Sequence, residues 1–456
     1  MSFKPILRQT QYWSFRPVSI SLSPNTEKDD IFLALKLIFQ PWHWKIGVYP
    51  RLDPRKSAST ILEEEFKKYL GAKYAFSFNS GRSAFLVILE SLDLKKNDEV
   101  LLQAFTCNAA VNPIIWAGLK PVFVDCDERD FNIELEDLKR KITPRSRVVM
   151  VQHTFGLPAN IAEILEICQK NNLILIEDCA HSLGAKYRNR KIGTFGKAAF
   201  FSFSRDKVIS SVYGGISTTD DEVLAKKLKE FQKKIGYPSY LWTLQQLFHP
   251  VLMNFLILPA YSFLRLGKTL LSIFQWLQIL SKAVHWKEKR GKKPGYFPKR
   301  LPAALAYLAS NQFRKLEKFN NHRKKIAKFY FKSLKDSSFE LPQAFEDYNP
   351  PTASSHPAPN LGAGWAPRDH IFMRFTIKHQ KAHQIIKRAW QKNILIGDWY
   401  TTPIAPYDTK LDKMEYILGS CPKAEKLAKI TLNLPTHINI SQEKAQKIVD
   451  FLQKRS

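Results

Sequence analysis

Acidic residues are scarce in this chain. Of its 456 residues, 70 are Lys or Arg and only 41 are Asp or Glu, a formal charge of +29. Such an excess favours anionic partners: nucleic acid, acidic lipid or phosphorylated small molecules. No zinc-finger spacing and no RNA-recognition signature accompanies it, so nucleic acid is not an expected partner. Cysteine is scarce too. The five cysteines (Cys107, Cys126, Cys168, Cys179, Cys421) have no metal-ligand spacing, and the middle three fall in or beside apolar segments. That pattern predicts buried thiols in a reducing compartment, with no disulfide framework and no metal centre. The first eight residues lack the apolar core of a signal peptide, which predicts a cytoplasmic protein. Also missing is an unbroken apolar run of the roughly 20 residues that a membrane-spanning helix needs. The best window, 251–264, is shorter and holds Asn254 and Pro259. There is no internal repeat.

What is present is an ordered alternation. Residues 1–55 read as a partly apolar lead-in. A helix over 58–70 puts Ile61, Leu62, Phe66 and Leu70 on one side. A strand over 74–78, a helix over 81–91 and strands over 99–102, 121–124, 148–152 and 173–176 follow, separated by helical stretches. Such a βαβ series predicts an α/β domain with a mostly parallel sheet and helices on both faces, spanning 56–238. Strands over 198–203 and 215–218 and a helix over 220–234 complete it.

The pattern then breaks into a hydrophobic insertion, 239–294. Between 239 and 281 the only charges are Arg265 and Lys268, and Pro250, Asn254, Pro259 and Gly267 interrupt it. A basic cluster follows (Lys287, Lys289, Arg290, Lys292, Lys293, Lys299, Arg300), opposed only by Glu288. Apolar helices beside cations suit peripheral attachment to an anionic membrane, here the inner face of the cytoplasmic membrane. The competing reading packs the insertion on a partner subunit. Residues 295–456 read as a linking region, helical over 302–335 as one helix or two, and a small α+β domain. That domain has a loop over 349–367, a strand over 371–377 and helices over 381–392 and 442–454.

Two apolar runs, 173–176 and 198–203, deliver polar groups at their C-terminal ends, where open α/β sheets bind ligands. The first leads into Asp178 and His181; the second carries Ser202 and leads to Lys207. Pyridoxal 5'-phosphate needs such a set: a lysine to hold it covalently, an acid against its pyridine nitrogen and donors for its phosphate. Ser80, Gly81, Arg82 and Ser83 open a helix after a strand, where free N–H groups and the helix dipole suit a phosphate. The blander readings are a surface lysine, a helix-capping Asp178, a core His181 and an ordinary turn at Ser80-Gly81. Lys207 follows Ser202 by five residues after a buried strand, which favours the catalytic reading.

These residues resemble the DegT/DnrJ/EryC1/StrS family of pyridoxal-phosphate sugar aminotransferases. The likeness runs through Ser80-Gly81-Arg82-Ser83, Ala104-Phe105-Thr106, Phe155-Gly156, Glu177-Asp178-Cys-Ala-His181, Gly193-Thr-Phe-Gly196, Ser202 to Lys207 and Asn433-Leu-Pro-Thr-His437, leaving out the lead-in and 239–293. It implies an aspartate-aminotransferase-like fold (fold type I). It also implies Lys207, Asp178 and His181 as catalytic residues, with Ser80, Gly81, Arg82, Ser83, Phe105 and Ser202 against the cofactor. Its activity is transfer of an amino group from an amino acid, glutamate first, to a nucleotide- or lipid-linked keto-sugar, by a homodimer. A branch that removes a sugar hydroxyl has His in place of the lysine, and Lys207 argues against it. Two departures stand out. Cys107 and Asn108 occupy the place of a ring-stacking aromatic, leaving Phe105 for that role. Residues 295–300, Gly-Tyr-Phe-Pro-Lys-Arg, lack the Asn of a segment that reaches the neighbouring subunit's phosphate. The alternative is a non-catalytic, membrane-attached binding or scaffolding protein.

Overall fold

The computed structural model describes residues 16–49, 53–342 and 368–454. The expected loop over 349–367 and the first eight residues lie outside them. Seven strands form the central sheet: β1 (Tyr74–Phe78), β2 (Glu99–Gln103), β3 (Lys120–Val124), β4 (Ser146–Gln152), β5 (Ile174–Asp178), β6 (Ala198–Ser202) and β7 (Gly215–Thr219). Their order is β1-β7-β6-β5-β4-β2-β3. The five from β6 to β3 are parallel; β7 runs antiparallel to both β6 and β1. Burial on both faces explains why these strands read as continuous apolar runs.

Helices α4 (Asn108–Trp116), α5 (Leu135–Lys141) and α6 (Ile161–Lys170) carry crossovers, and α7 (Glu222–Lys234) follows β7. Before them, α1 (Lys28–Ile38) belongs to the lead-in and packs on α8 (Tyr240–Leu252) of the insertion. The helix α2 (Ala58–Leu70) starts where the Ser57 hydroxyl accepts the Thr60 N–H and stops at left-handed Gly71. The helix α3 (Gly81–Glu90) is buried from Gly81 to Leu89, packed on β1, β6 and β7, with Phe85 stacked on Phe200. It is apolar all round because it lies inside the molecule. Within the insertion, α8 and α9 (Leu266–Trp276) are separated by a π-helical turn over Met253–Ile257. No helix among the described residues is long and apolar enough to cross a membrane.

The region 302–335 is two helices, α10 (Ala303–Phe313) and α11 (Leu316–Leu334). The C-terminal unit pairs β8 (Arg374–Lys378) antiparallel with β9 (Thr431–Pro435). Its core joins Tyr330 of α11 to Phe375, Leu432 and Ile448. The strand expected over 371–377 begins three residues late. Phe372 adopts a left-handed backbone (φ +50°), and the Ile371 N–H bonds the Gly156 oxygen, so this segment is tied to the turn after β4 instead.

Candidate active site

Strand order brings the sequence-distant groups together. The β5–β6 pairing sets Phe200 beside Asp178 at the sheet's C-terminal edge. The β7–β1 pairing then swings the start of α3 against the end of β6: a Cβ on Gly81 would lie 2.9 Å from the Ser202 Cβ. A Cβ on Gly215 would lie 2.4 Å from the Gly81 nitrogen. Both glycines are there for close approach, not for backbone freedom.

Lys207 is partly buried in the loop after β6. Its Nζ is 2.9 Å from the His181 Nε2 and 4.5 Å from the centre of the Trp399 ring. Burial lowers the lysine pKa, aided by the Arg374 cation and resisted by Asp206, Cys107 and Asp178. Burial likewise holds His181 well below its ordinary value, with Lys207 and Arg374 adding to the effect. His181 is therefore a neutral ring at pH 7, stacked 5.3 Å from Trp399, and its buried Nδ1 has no hydrogen-bond partner among the described residues. The Asp178 carboxyl is buried and accepts the Ala180 N–H at 2.9 Å. Burial raises its pKa against that bond and the pull of Lys207 and His153.

At the start of α3 the Ser80 hydroxyl accepts the Ser83 N–H at 3.0 Å, and the Ser83 hydroxyl donates to the Asn79 side-chain oxygen at 2.7 Å. The Ser202 hydroxyl reaches Ser204 at 3.2 Å. Arg82 does not turn its side chain to this cradle. Its guanidinium is buried in an ion pair with Glu288 and lies 4.8 Å from the Phe297 ring centre. Burial works against its charge, but Glu288 outweighs burial and raises the pKa above the ordinary value. What Arg82 leaves for a phosphate is its main-chain N–H. Phe105, with φ +61°, is fully buried in a cluster with Phe131, Phe155 and Tyr400, and stacks on Phe131. Its ring belongs to the packing behind the site.

Three neighbours were invisible to sequence reasoning. Trp399 lines the Lys207 amine, and the Arg374 Cζ lies 3.3 Å from the centre of the same Trp399 ring. Asn25, from the lead-in, donates to the Lys207 main-chain oxygen at 2.5 Å. The motif Gly193–Gly196 has a local reason: the N–H groups of Gly193, Phe195 and Gly196 converge on the buried Glu177 carboxylate at 2.7–2.8 Å, clamping the loop before β6.

The end of the insertion forms one wall. Main-chain oxygens of Ser281, Lys282, Ala283, Glu288 and Gly291 accept from Arg205, Tyr213, Arg82, Asn112 and Trp116, respectively, at 2.7–3.3 Å. Glu288, counted in sequence as the basic cluster's counter-charge, is spent on Arg82. Within residues 295–300, the oxygens of Tyr296 and Lys299 bond Asn79 of the same chain.

A lysine, a buried acid and a helix start gathered at the C-terminal edge of a parallel sheet define a protein of the lysine-dependent pyridoxal-phosphate class. The chain belongs to the DegT/DnrJ/EryC1/StrS aminotransferase family, whose profile matches residues 56–241 and 270–453. The break in the match is narrower than the expected 239–293. Proteins of this family use pyridoxal phosphate. The GDP-perosamine synthase of Caulobacter vibrioides is 38% identical over 168 residues, 37% of this chain and 45% of that enzyme. The UDP-N-acetyl-3-dehydro-alpha-D-glucosamine 3-aminotransferase of Acidithiobacillus ferrooxidans is 25% identical over 394 residues, 86% of this chain and 87% of that one. The more identical relatives are thus matched over less than half of their own length. Among solved structures, Helicobacter pylori PseC, an aminotransferase involved in the biosynthesis of pseudoaminic acid, superposes with a TM-score of 0.69 at 20% identity, covering 96% of this chain and 99% of that one. That likeness is one of fold.

The residues fit the cofactor on this chain's own features. The site offers a lysine whose pKa burial lowers, a buried acid whose pKa burial raises, a histidine nitrogen unpartnered among the described residues and a glycine-tight cradle at a helix start.

Proposed function

We propose that this chain is a pyridoxal-phosphate aminotransferase that moves an amino group from an amino acid, glutamate first, to a nucleotide-linked keto-sugar for cell-surface polysaccharide synthesis. The observation that carries the reading is the 2.9 Å contact between the Lys207 Nζ and a neutral His181 beside the buried Asp178. The substrate class follows the names of the two relatives above, which act on GDP- and UDP-linked sugars.

Bound here, pyridoxal phosphate supplies an electron sink for the pair released at the substrate carbon. Lys207 holds the cofactor and, as a neutral amine, takes and returns the proton at that carbon; its lowered pKa keeps the amine available. Asp178 would hold a proton on the pyridine nitrogen, and a cation there would offset the burial of its carboxylate. His181, neutral and stacked on Trp399, orients the amine through Nε2, and its Nδ1, unpartnered among the described residues, would be available to the cofactor. The N–H groups of Gly81 and Arg82, at the open end of α3, and the Ser202 hydroxyl receive the phosphate.

The reading includes a homodimer, as the family resemblance implies, and peripheral attachment to an anionic membrane. Support for attachment is an exposed stripe on and beside α9: Leu266, Ile273, Trp276 and Leu277, with Leu264 86% exposed and Trp276 80% exposed, flanked by Arg265 and Lys268.

The test is the visible spectrum of the purified protein before and after borohydride, with mass mapping of the trapped peptide. A yellow band that glutamate removes, and a pyridoxyl label on Lys207, support the reading. A colourless protein that stays unlabelled with added pyridoxal phosphate overturns it.

A further inference from the structure

The lead-in, the insertion and the C-terminal unit meet around a cleft of about 1040 Å³ whose lining includes neither Lys207 nor Asp178. Its walls are tied to one another. The short strand Val18–Ser19 pairs with Ile394–Leu395, and the Ser19 oxygen accepts from the His437 Nε2 at 2.7 Å. The Asn439 carboxamide donates to the Pro24 and Thr26 oxygens at 2.9 and 3.0 Å. Arg16 ties the lead-in to the insertion, donating to the Asn254 oxygen at 3.0 Å. A cleft of this size takes a small organic molecule.

The lining is of two kinds. Leu22 and Leu258 belong to the apolar packing of the insertion, while Phe32 and Phe255 stay 60% and 54% exposed beside them. The charged part is unbalanced. Five cations, Arg16, Lys28, Lys315, Lys318 and Lys444, stand against two acids, Glu27 and Asp29. Lys315 bridges both acids and Lys318 bridges Glu27. Arg16 and Lys444 have only main-chain oxygens, those of Asn254 and Asn439, and no acid among the described residues.

Solvation accounts for Lys28, which is exposed, and not for Lys444. That lysine is half-buried and is the third residue of the helix Gln442–Gln453, where the helix dipole opposes a cation. Burial and the nearby Arg16 and Lys447 cations lower its pKa. An anion between Arg16 and Lys444 relieves the repulsion and suits the helix start. A bare anion leaves Phe32 and Phe255 uncovered, and a neutral apolar molecule leaves the cations unmatched. One molecule that answers both carries a phosphate and a hydrocarbon chain.

We propose that this cleft binds one anionic phospholipid, with its phosphate between Arg16 and Lys444 and an acyl chain along Phe32, Phe255 and Leu258. Phe255 lies in the π-helical turn that precedes α9, so the cleft sits on the same insertion as the exposed stripe. The inference goes beyond peripheral attachment, which needs only that stripe, and it does not depend on the aminotransferase chemistry.

The test is calorimetric titration of the full-length holoenzyme with dihexanoyl phosphatidylglycerol, kept below its micelle concentration. Dihexanoyl phosphatidylcholine and glycerol 3-phosphate are titrated beside it. The anionic lipid is expected to saturate at one per chain and the other two to bind about tenfold or more weakly, since one lacks the net charge and the other the chain. Arg16→Gln with Lys444→Gln lowers the affinity for phosphatidylglycerol to that for phosphatidylcholine. Phe32→Ser with Phe255→Ser, both at exposed positions, lowers it to that for glycerol 3-phosphate. Ile273→Asp with Trp276→Asp leaves it within threefold of the wild type, which separates the cleft from the stripe. Absence of saturable binding overturns the proposal. So does glycerol 3-phosphate binding as tightly as the lipid, which makes the cleft a plain anion site. Phosphatidylcholine binding equally well makes it an apolar groove and overturns the proposal too, as does an unchanged affinity in the Arg16→Gln, Lys444→Gln variant.

Discussion

The carboxamide of Asn25 holds the main chain of Lys207: its nitrogen donates to the Lys207 oxygen at 2.5 Å, and its oxygen accepts from Arg323 at 2.9 Å. Arg323 in turn donates to the Val208 oxygen at 2.6 Å. The loop bearing the amine is thus fixed by a residue of the lead-in and one of α11. Asn25→Ala removes the side-chain donor to the Lys207 oxygen and one of the two acceptors of the buried Arg323 Nη2. Urea unfolding should show a loss of about 1–3 kcal/mol, with slower turnover from a loosened Lys207.

Gly215→Ala puts a methyl 2.4 Å from the Gly81 nitrogen, against main chain rather than a flexible side chain. The helix start must move away from Ser202. Pyridoxal phosphate should dissociate at least tenfold more readily, as measured by equilibrium titration of its absorption band; unchanged affinity would place the phosphate elsewhere.

Arg82→Met strands the Glu288 carboxylate in a buried site. The expected cost is about 3–5 kcal/mol in denaturant unfolding, whereas Arg82→Met with Glu288→Leu should regain most of it, since replacing both members of a buried pair by apolar groups is far milder.

Burial drives the pKa values of His370 and His437 down to about 3. As pH falls below about 6.5 the unfolded chain takes up a proton at each ring and the folded chain does not. Their contribution to stability is complete above that pH and is lost progressively between about 6.5 and 3, at up to about 1.4 kcal/mol per pH unit for each. His437→Gln should flatten the acid limb of a stability–pH profile.

Ile273→Asp with Trp276→Asp should release the protein from phosphatidylserine-containing vesicles in a co-sedimentation assay, and raised salt should weaken wild-type binding. Lys207→Ala should abolish turnover and still sediment. Wild-type protein that never sediments returns the stripe to a protein partner.

The sheet was legible because parallel strands are buried on both faces, so 99–102 and 148–152 stand out as apolar runs between helical stretches. Lys207, Asp178 and Ser202 were legible because each follows such a run at its C-terminal end. Asn25, Arg374 and Trp399 were not. Their meaning lies in contacts across long separations, 182 residues between Asn25 and Lys207, and no local pattern encodes those. The place of the Arg82 side chain was hidden for a related reason: its guanidinium pairs with Glu288, 206 residues away, and only its main-chain N–H stays at the helix start.

The seat of the insertion has an evolutionary corollary. Arg205, Tyr213, Arg82, Asn112 and Trp116 grip the segment 281–291 by main-chain oxygens, which every amino acid possesses. Most side chains of that segment are therefore free to drift, and an unrelated loop of the same backbone course could be grafted in their place. The surface the insertion presents can be exchanged while the catalytic wall behind it stays as it is.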